Sequence, residues 1–353
     1  MSSYWSDFVK ALEPYSPGEQ PQISNITKLN TNENPYGPSP AVIRAIAETA
    51  DDRLRLYPPP EAEQLKAKIA EHFQLSASQV FVGNGSDEVL AHVFNGLLNH
   101  PDKGPLLFPD ISYSFYPVFC QLYGIKHKKI PLAEDFAIDL NQYQRANGGI
   151  IFPNPNAPTG MLLELDAVES LLQANTETVV VVDEAYIDFG GESAASLIAQ
   201  YDNLLVVQTM SKSRSLAGMR VGYALGSEHL IAGLNRIKNS FNSYPLGHLQ
   251  IAAAIAAFDD QPYFQKTTDR VISERQRVVE QLETLGFNVL PSKANFVLAH
   301  HPENAAESLA TALRDKGIIV RYFAKPRIDQ YLRITIGTES QNSRLIESLK
   351  QIL

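Results

Sequence analysis

Between residues 78 and 225, short apolar runs alternate with longer stretches of helical period. Val80–Val82, Leu106–Phe108, Gly149–Phe152, Val179–Val182, Leu204–Val207 and Val221–Leu225 read as strands. Several are apolar throughout instead of alternating, which predicts a sheet covered on both faces. After Ser86, the residues Val89, Leu90, Val93 and Leu97 recur at helical spacing and predict a covering helix. The pattern is α/β with a mostly parallel central sheet. One connection departs from it. Only residues 208–220 join Leu204–Val207 to Val221–Leu225, and a parallel crossover needs about a dozen residues or more, most of them helical. This link is spent on Ser211-Lys212-Ser213-Arg214-Ser215-Leu216-Ala217-Gly218-Met219-Arg220, so the strand after it is expected to run antiparallel.

From about Pro262 the rhythm changes. A long charged helix over 264–285 leads to Phe287–Leu290, Asn295–Leu298, a helix near 303–316, Ile318–Tyr322, Leu332–Ile336 and a final helix. That ββαββα tail predicts a smaller α+β domain over 262–353, beside a large domain over 39–261. Residues 1–38 carry too little apolar surface to fold alone, and are expected to form an arm packing with the small domain.

Composition narrows the class. Hydrophobic residues at 44% and charged residues at 20% are ordinary for a globular protein. A formal charge of −9 disfavours nucleic-acid binding, which needs a basic face. The single cysteine, Cys120, cannot form an internal disulfide and fits a reducing cytoplasm. Residues 1–28 are polar, with Pro14, Pro17 and Pro21, and read as neither signal nor transit peptide. No apolar run approaches the roughly 20 residues of a membrane span.

The candidate chemistry gathers at strand ends. Gly83-Asn84-Gly85-Ser86-Asp87 joins a strand to a helix; it reads either as an anion cradle at a helix N-terminus or as a tight turn capped by Ser86 or Asp87. It lacks the third glycine of dinucleotide loops and the GK[ST] of nucleotide phosphate loops. Asp183 ends an apolar run where open α/β sheets bind ligands, and Tyr186 follows three residues on. Alone, the Asp-Glu pair suits a metal-bound phosphate or a loop cap; no phosphate-loop lysine lies upstream, and no metal site is expected. With Lys212, the set holds the parts needed for pyridoxal 5'-phosphate (PLP). An aspartate facing the pyridine nitrogen keeps it protonated, a lysine attaches covalently and then shuttles a proton, and Ser211 and Arg220 reach the phosphate.

These residues lie in segments that together resemble fold-type I PLP-dependent enzymes, and among them the histidinol-phosphate aminotransferases. The matching segments are Leu29–Pro38 (LNTNENPYGP), Leu56-Tyr57-Pro58, Gly83–Glu88, Tyr113–Tyr116, Asn154–Gly160, Asp183–Tyr186, Ser211-Lys212 with Leu216–Tyr223, Ser240–Leu246 (SFNSYPL) and Leu332–Thr338, in the family's order along nearly the whole chain. The lysine and aspartate motifs mark the superfamily; NENPYGP and SFNSYPL are narrower. The resemblance implies that Ser86 and Asp87 offer backbone amides to the cofactor phosphate and that Tyr113 stacks on its ring. It implies that Tyr57 reaches the neighbouring subunit's cofactor, making a homodimer with shared sites. Arg321 and Arg333 would grip substrate, and Tyr36, Asn32 and Tyr244 would face the imidazole end. The implied reaction moves an amino group between L-histidinol phosphate and 2-oxoglutarate, giving imidazole-acetol phosphate and L-glutamate. Rivals are an aromatic amino-acid transaminase or a threonine-phosphate decarboxylase on the same fold, a noncatalytic PLP-binding regulator, and an unrelated phosphate-binding protein. One departure stands out. The superfamily usually places asparagine before Pro-Thr-Gly to bond the cofactor's phenolic oxygen, and this chain has Ala157. Either Asn156 substitutes or Tyr186 serves the oxygen alone; Asn156 is the expectation.

Overall fold

The computed structural model describes residues 4–15, 18–20 and 25–353. The N-terminal arm supplies β1 (Thr27–Leu29). The next seven strands are β2 (Val80–Gly83), β3 (Leu106–Pro109), β4 (His127–Ile130), β5 (Gly149–Pro153), β6 (Val180–Asp183), β7 (Leu204–Thr209) and β8 (Gly222–Gly226). They form one sheet in the order β2-β8-β7-β6-β5-β3-β4. The apolar runs are explained by a core on each face. Val180, Val182, Leu204 and Val206 enter one, while Val181, Leu205 and Val207 enter the other. The helix Gly85–Gly96 buries Val89, Leu90 and Val93 on the second face. The helix His248–Asp259 covers the first with Ile251, Ala254 and Phe258.

β8 runs antiparallel to both neighbours, β7 and β2, as the short link before it predicts. This reversal matters for the site. It brings the start of β8 to the edge where the parallel strands end, with Gly222 registered between Thr209 and Gly83. The sequence pattern missed β4, whose residues His127, Lys128 and Lys129 are exposed. β4 is an edge strand, and its charged side chains give no apolar run to read.

The tail forms β9 (Asn288–Val289), β10 (Phe296–His300), β11 (Ile318–Tyr322) and β12 (Tyr331–Thr335). Its sheet order is β1-β11-β12-β10-β9, with β1 parallel to β11. Three helices, Gln261–Thr284, Ala306–Asp315 and Glu339–Ile352, pack Val278, Leu309, Leu345 and their neighbours into one core with this sheet. Phe287–Leu290 shrinks to the two residues of β9. Within the arm, residues 1–3, 16–17 and 21–24 lie outside the described residues. The described part divides. β1 joins the small sheet, but residues 11–15 lean on the large one. Gln121 Nε2 donates to Ala11 O at 2.5 Å, Glu13 N donates to Gln121 Oε1 at 3.0 Å, and Tyr15 stacks on Phe115 at 4.8 Å.

Candidate active site

A cavity of about 760 Å³ lies between the two sheets. Its floor is the carboxyl edge of β2, β3, β5, β6 and β7, where α/β sheets offer free backbone groups and helix N-termini. Eleven of the sequence-derived candidates line it: Asn32, Ser86, Asp87, Tyr113, Asp183, Tyr186, Ser211, Lys212, Arg220, Arg321 and Arg333.

At one end is a cradle for an anion. Gly85 has φ +80°, and a Cβ there would come within 2.5 Å of the Arg220 guanidinium. A Cβ on Gly222 would come within 2.4 Å of Ser86 N. Both glycines permit a close approach of backbone and guanidinium that no side chain would allow. Ser86 and Asp87 sit in the first turn of the helix Gly85–Gly96, whose terminal amides favour negative charge. Arg220, itself left-handed at φ 52°, donates from Nη2 to Asp87 Oδ2 at 3.1 Å. Ser211 Oγ accepts from Thr209 Oγ1 at 3.0 Å.

At the other end Asp183 closes β6. Tyr116 OH donates to Asp183 Oδ2 at 2.8 Å, while Asp183 Oδ1 is buried without a partner. Burial raises its carboxyl to about 6, against the Tyr116 bond that lowers it. A buried acceptor without a donor costs about 1–3 kcal/mol, so this oxygen suits an N–H brought in by a ligand. A molecule with a phosphate at one end and a protonated ring nitrogen at the other fits both ends.

Lys212 lines the same cavity. Its Nζ donates to Thr31 O at 3.3 Å and lies 5.7 Å from the centroid of the Tyr186 ring. Three asparagines of the arm secure this region. Asn34 Nδ2 donates to Lys212 O at 3.0 Å, and Asn32 Nδ2 donates to Tyr186 OH at 3.0 Å. Asn30 O accepts from Arg333 Nη2 at 2.7 Å. The motif thus links the lysine loop, the tyrosine and the arginine to one strand end.

Arg321 and Arg333 are register partners on β11 and β12. The Arg333 side chain is enclosed, packed over Phe296 and Phe323, with Nε buried and unbonded. Burial and the neighbouring Arg321 disfavour its charge, offset in part by Tyr186 and Tyr15. No carboxylate of the described residues pairs with either arginine. A half-buried cation with a buried, unbonded Nε and no counter-ion among the described residues calls for an anionic ligand.

Four candidates do not line the cavity. Asn156 is buried, but its Nδ2 donates to Ile111 O at 3.0 Å and Thr159 Oγ1 at 3.1 Å, which uses both hydrogens. Of the two neighbours Asn156 and Ala157, it is Ala157 that lines the cavity. Tyr36 packs against the small core beneath Arg270, 5.5 Å away. Tyr57 is 81% exposed and stacks on Tyr244 at 4.8 Å, on the outer surface. Asn32 does line the cavity, yet its amide is taken by Tyr186 and by Thr335 Oγ1 at 3.0 Å, so it orients Tyr186. Sequence reasoning gave no role to Tyr15, which lines the cavity, or to Tyr116. Both look like ordinary core aromatics in a linear sequence.

The aminotransferase class I and II family profile matches residues 24–349, and the chain belongs to that family. It is 61% identical to histidinol-phosphate aminotransferase 1 of Hydrogenovibrio crunogenus over 353 residues, covering 100% of this chain and 99% of that protein. It is 60% identical to histidinol-phosphate aminotransferase 1 of Pseudomonas aeruginosa, covering 99% of each. Its fold superposes on the crystal structure of histidinol-phosphate aminotransferase from Sinorhizobium meliloti in complex with pyridoxal-5'-phosphate with a TM-score of 0.87. That pair shares 25% identity over 100% of this chain and 99% of the other. No helix among the described residues is long and apolar enough to cross a membrane.

Proposed function

We propose that this chain is a PLP-dependent transaminase. It exchanges an amino group between L-histidinol phosphate plus 2-oxoglutarate and imidazole-acetol phosphate plus L-glutamate, in the cytoplasm, as a homodimer. The observation that carries the reading is the enclosed Arg333, beside Arg321 and without a carboxylate partner, in the same cavity as Lys212. Histidinol phosphate presents a phosphate and glutamate presents carboxylates, and paired guanidinium groups bind both well. Around them the cavity carries seven lysine and arginine side chains against four carboxylates, in a chain of net charge −9. The curated relatives at about 60% identity support the substrate. The enclosed tyrosines Tyr15 and Tyr113 would stack equally well on a phenyl ring, which keeps an aromatic amino-acid transaminase as the second reading.

The residues suit the cofactor by chemistry. Asp183 Oδ1, buried without a partner, would accept the ring N–H and hold that nitrogen protonated. Arg220, Ser211 and the amides at Ser86 and Asp87 would hold the phosphate, and Tyr113 would cover the ring. Tyr186, aimed by Asn32, serves the phenolic oxygen without help from position 157. Bound there, the cofactor supplies an electron sink for charge at the substrate's α-carbon. Lys212 Nζ, in the same cavity, would carry the proton away from that carbon and return it. We also read 39–261 and 262–353 as the two domains that meet at this cavity. Lys212→Ala should abolish amino transfer, measured as glutamate formed from 2-oxoglutarate, while cofactor still binds noncovalently. Borohydride should trap cofactor on Lys212 in the parent protein only. Turnover at parent level in the variant would overturn the assignment.

A further inference from the structure

The stretch after β3 that runs into the helix Tyr116–Tyr123 places two phenols on two carboxylates that both line the cavity. Tyr113 OH donates to Asp87 Oδ1 at 2.9 Å, beside the anion cradle. Tyr116 OH donates to Asp183 Oδ2 at 2.8 Å, and both residues are buried. The rings meet edge to face, 5.7 Å apart at 88°. Tyr116 is further fixed by Phe94 at 5.7 Å and Phe108 at 5.8 Å. The ring has no freedom to leave its carboxylate. A phenol can give only one proton to a hydrogen bond, and this one is given to Oδ2. Oδ1 is the acceptor left over.

We propose that Tyr116 is a positioning residue for the reaction: its hydroxyl holds Asp183 ionised and turned so that Oδ1 is presented to the cofactor's ring nitrogen. This rests on the reading of Asp183 given above. Tyr116 touches neither substrate nor cofactor; it acts through Asp183. A neutral donor on a buried carboxylate stabilises the charged form without introducing a counter-charge that would compete with the ring. An arginine or lysine in that place would pair with Asp183 and weaken its hold on a pyridinium. The other ionisable groups facing Asp183 are few. Asp87, on the helix Gly85–Gly96, opposes its charge. Tyr113, after β3, and Tyr186, after β6, are phenols, and Lys212 lines the same cavity from beyond β7. The Ala185 backbone N–H gives Asp183 some support. Tyr116 is the side chain that favours the carboxylate.

The test is the affinity of the apoprotein for PLP as a function of pH, read by absorbance or fluorescence on reconstitution. Protonated Asp183 cannot accept the ring N–H, so affinity falls as pH drops through the value near 6 that burial sets. Tyr116→Phe removes the donor and should move that break upward by about one pH unit. Incorporating 3-fluorotyrosine at position 116, nearly isosteric and a stronger donor, should move it downward. The ring and phosphate titrations of the cofactor are common to all three proteins and cancel in the comparison. Asp183→Asn separates the layers of the argument. If it keeps the parent affinity and break, the Asp183 reading itself fails. If it removes the break while both position-116 variants leave it unmoved, the Tyr116 inference alone is overturned. A break that shifts the same way in both variants, tracking a lowered melting temperature, would show a packing role only and would also overturn it.

Discussion

Gly222 shows how one backbone atom can decide a site. Its would-be Cβ lies 2.4 Å from Ser86 N, a backbone group that cannot step aside alone. Gly222→Ala should therefore push the cradle open and weaken PLP binding by about tenfold to a hundredfold, the scale of a 1–3 kcal/mol overpacking strain. Equilibrium titration of the apoprotein with PLP checks this; affinity at parent level would contradict it. Gly218→Ala, with open space around the new methyl, is the matched control. Residue identities at this scale were largely legible. Lys212, Asp183, Arg220 and the Gly85-Ser86-Asp87 turn stand at strand ends that the apolar runs mark out. Side-chain direction was not legible. Asn156 and Ala157 are adjacent, and only the turn of the backbone decides which one faces the cavity. Tyr15 and Tyr116 escaped for a different reason: a tyrosine's role rests on what its hydroxyl reaches across the fold, which a linear pattern does not carry.

At the scale of elements, the segment that carries Tyr57 is pinned from below. Glu61 accepts from Lys238 Nζ at 2.8 Å on one oxygen and from Lys66 Nζ at 2.8 Å on the other. Lys238 also donates to Pro60 O at 3.1 Å. Lys238 belongs to the helix Glu228–Phe241 and Lys66 to the helix Glu63–Phe73, so one carboxylate joins two helices to the loop. Burial alone would raise the Glu61 carboxyl, but the two lysines hold it down to about 2. Because its folded value is depressed, the stabilisation is complete above the unfolded value near 4.5 and is lost as pH falls through 2. Discounted for partial exposure, it is worth about 2 kcal/mol. Glu61→Gln should lose about that much in urea unfolding at pH 7, with the gap to parent narrowing once pH drops below about 4.5. An equal gap at all pH values would refute the ionic account. Legibility at this scale followed the hydrophobic pattern. β8 was read from its apolar run, and its antiparallel direction from the shortness of the link before it. β4 was lost because an edge strand needs no apolar run, and β9 is too short to leave a pattern.

The whole molecule presents two surfaces of different kind. The cavity between the sheets is enclosed and basic, whereas Tyr57 and Tyr244 stack on the outside with Leu54, Leu56 and Phe241 also exposed. An exposed aromatic pair apart from its own cavity is what a residue delivered to a second subunit would look like. Mixing Tyr57→Ala protein with Lys212→Ala protein under subunit exchange tests this. Hybrid dimers should contain one site with both groups intact and regain turnover that neither parent variant has. No recovery would contradict the shared site. The two-layer plan, the antiparallel β8 and the ββαββα tail were visible in the sequence. The way the arm divides between the sheets was not, because its contacts run through Gln121, Tyr15 and three asparagines rather than an apolar stripe. In a single half-reaction without 2-oxoglutarate, histidinol phosphate mixed with the PLP-loaded protein should bleach the cofactor's visible absorbance rapidly and release one imidazole-acetol phosphate per site. Phenylalanine at equal concentration should act far more slowly. Bleaching by phenylalanine with none by histidinol phosphate would contradict the account.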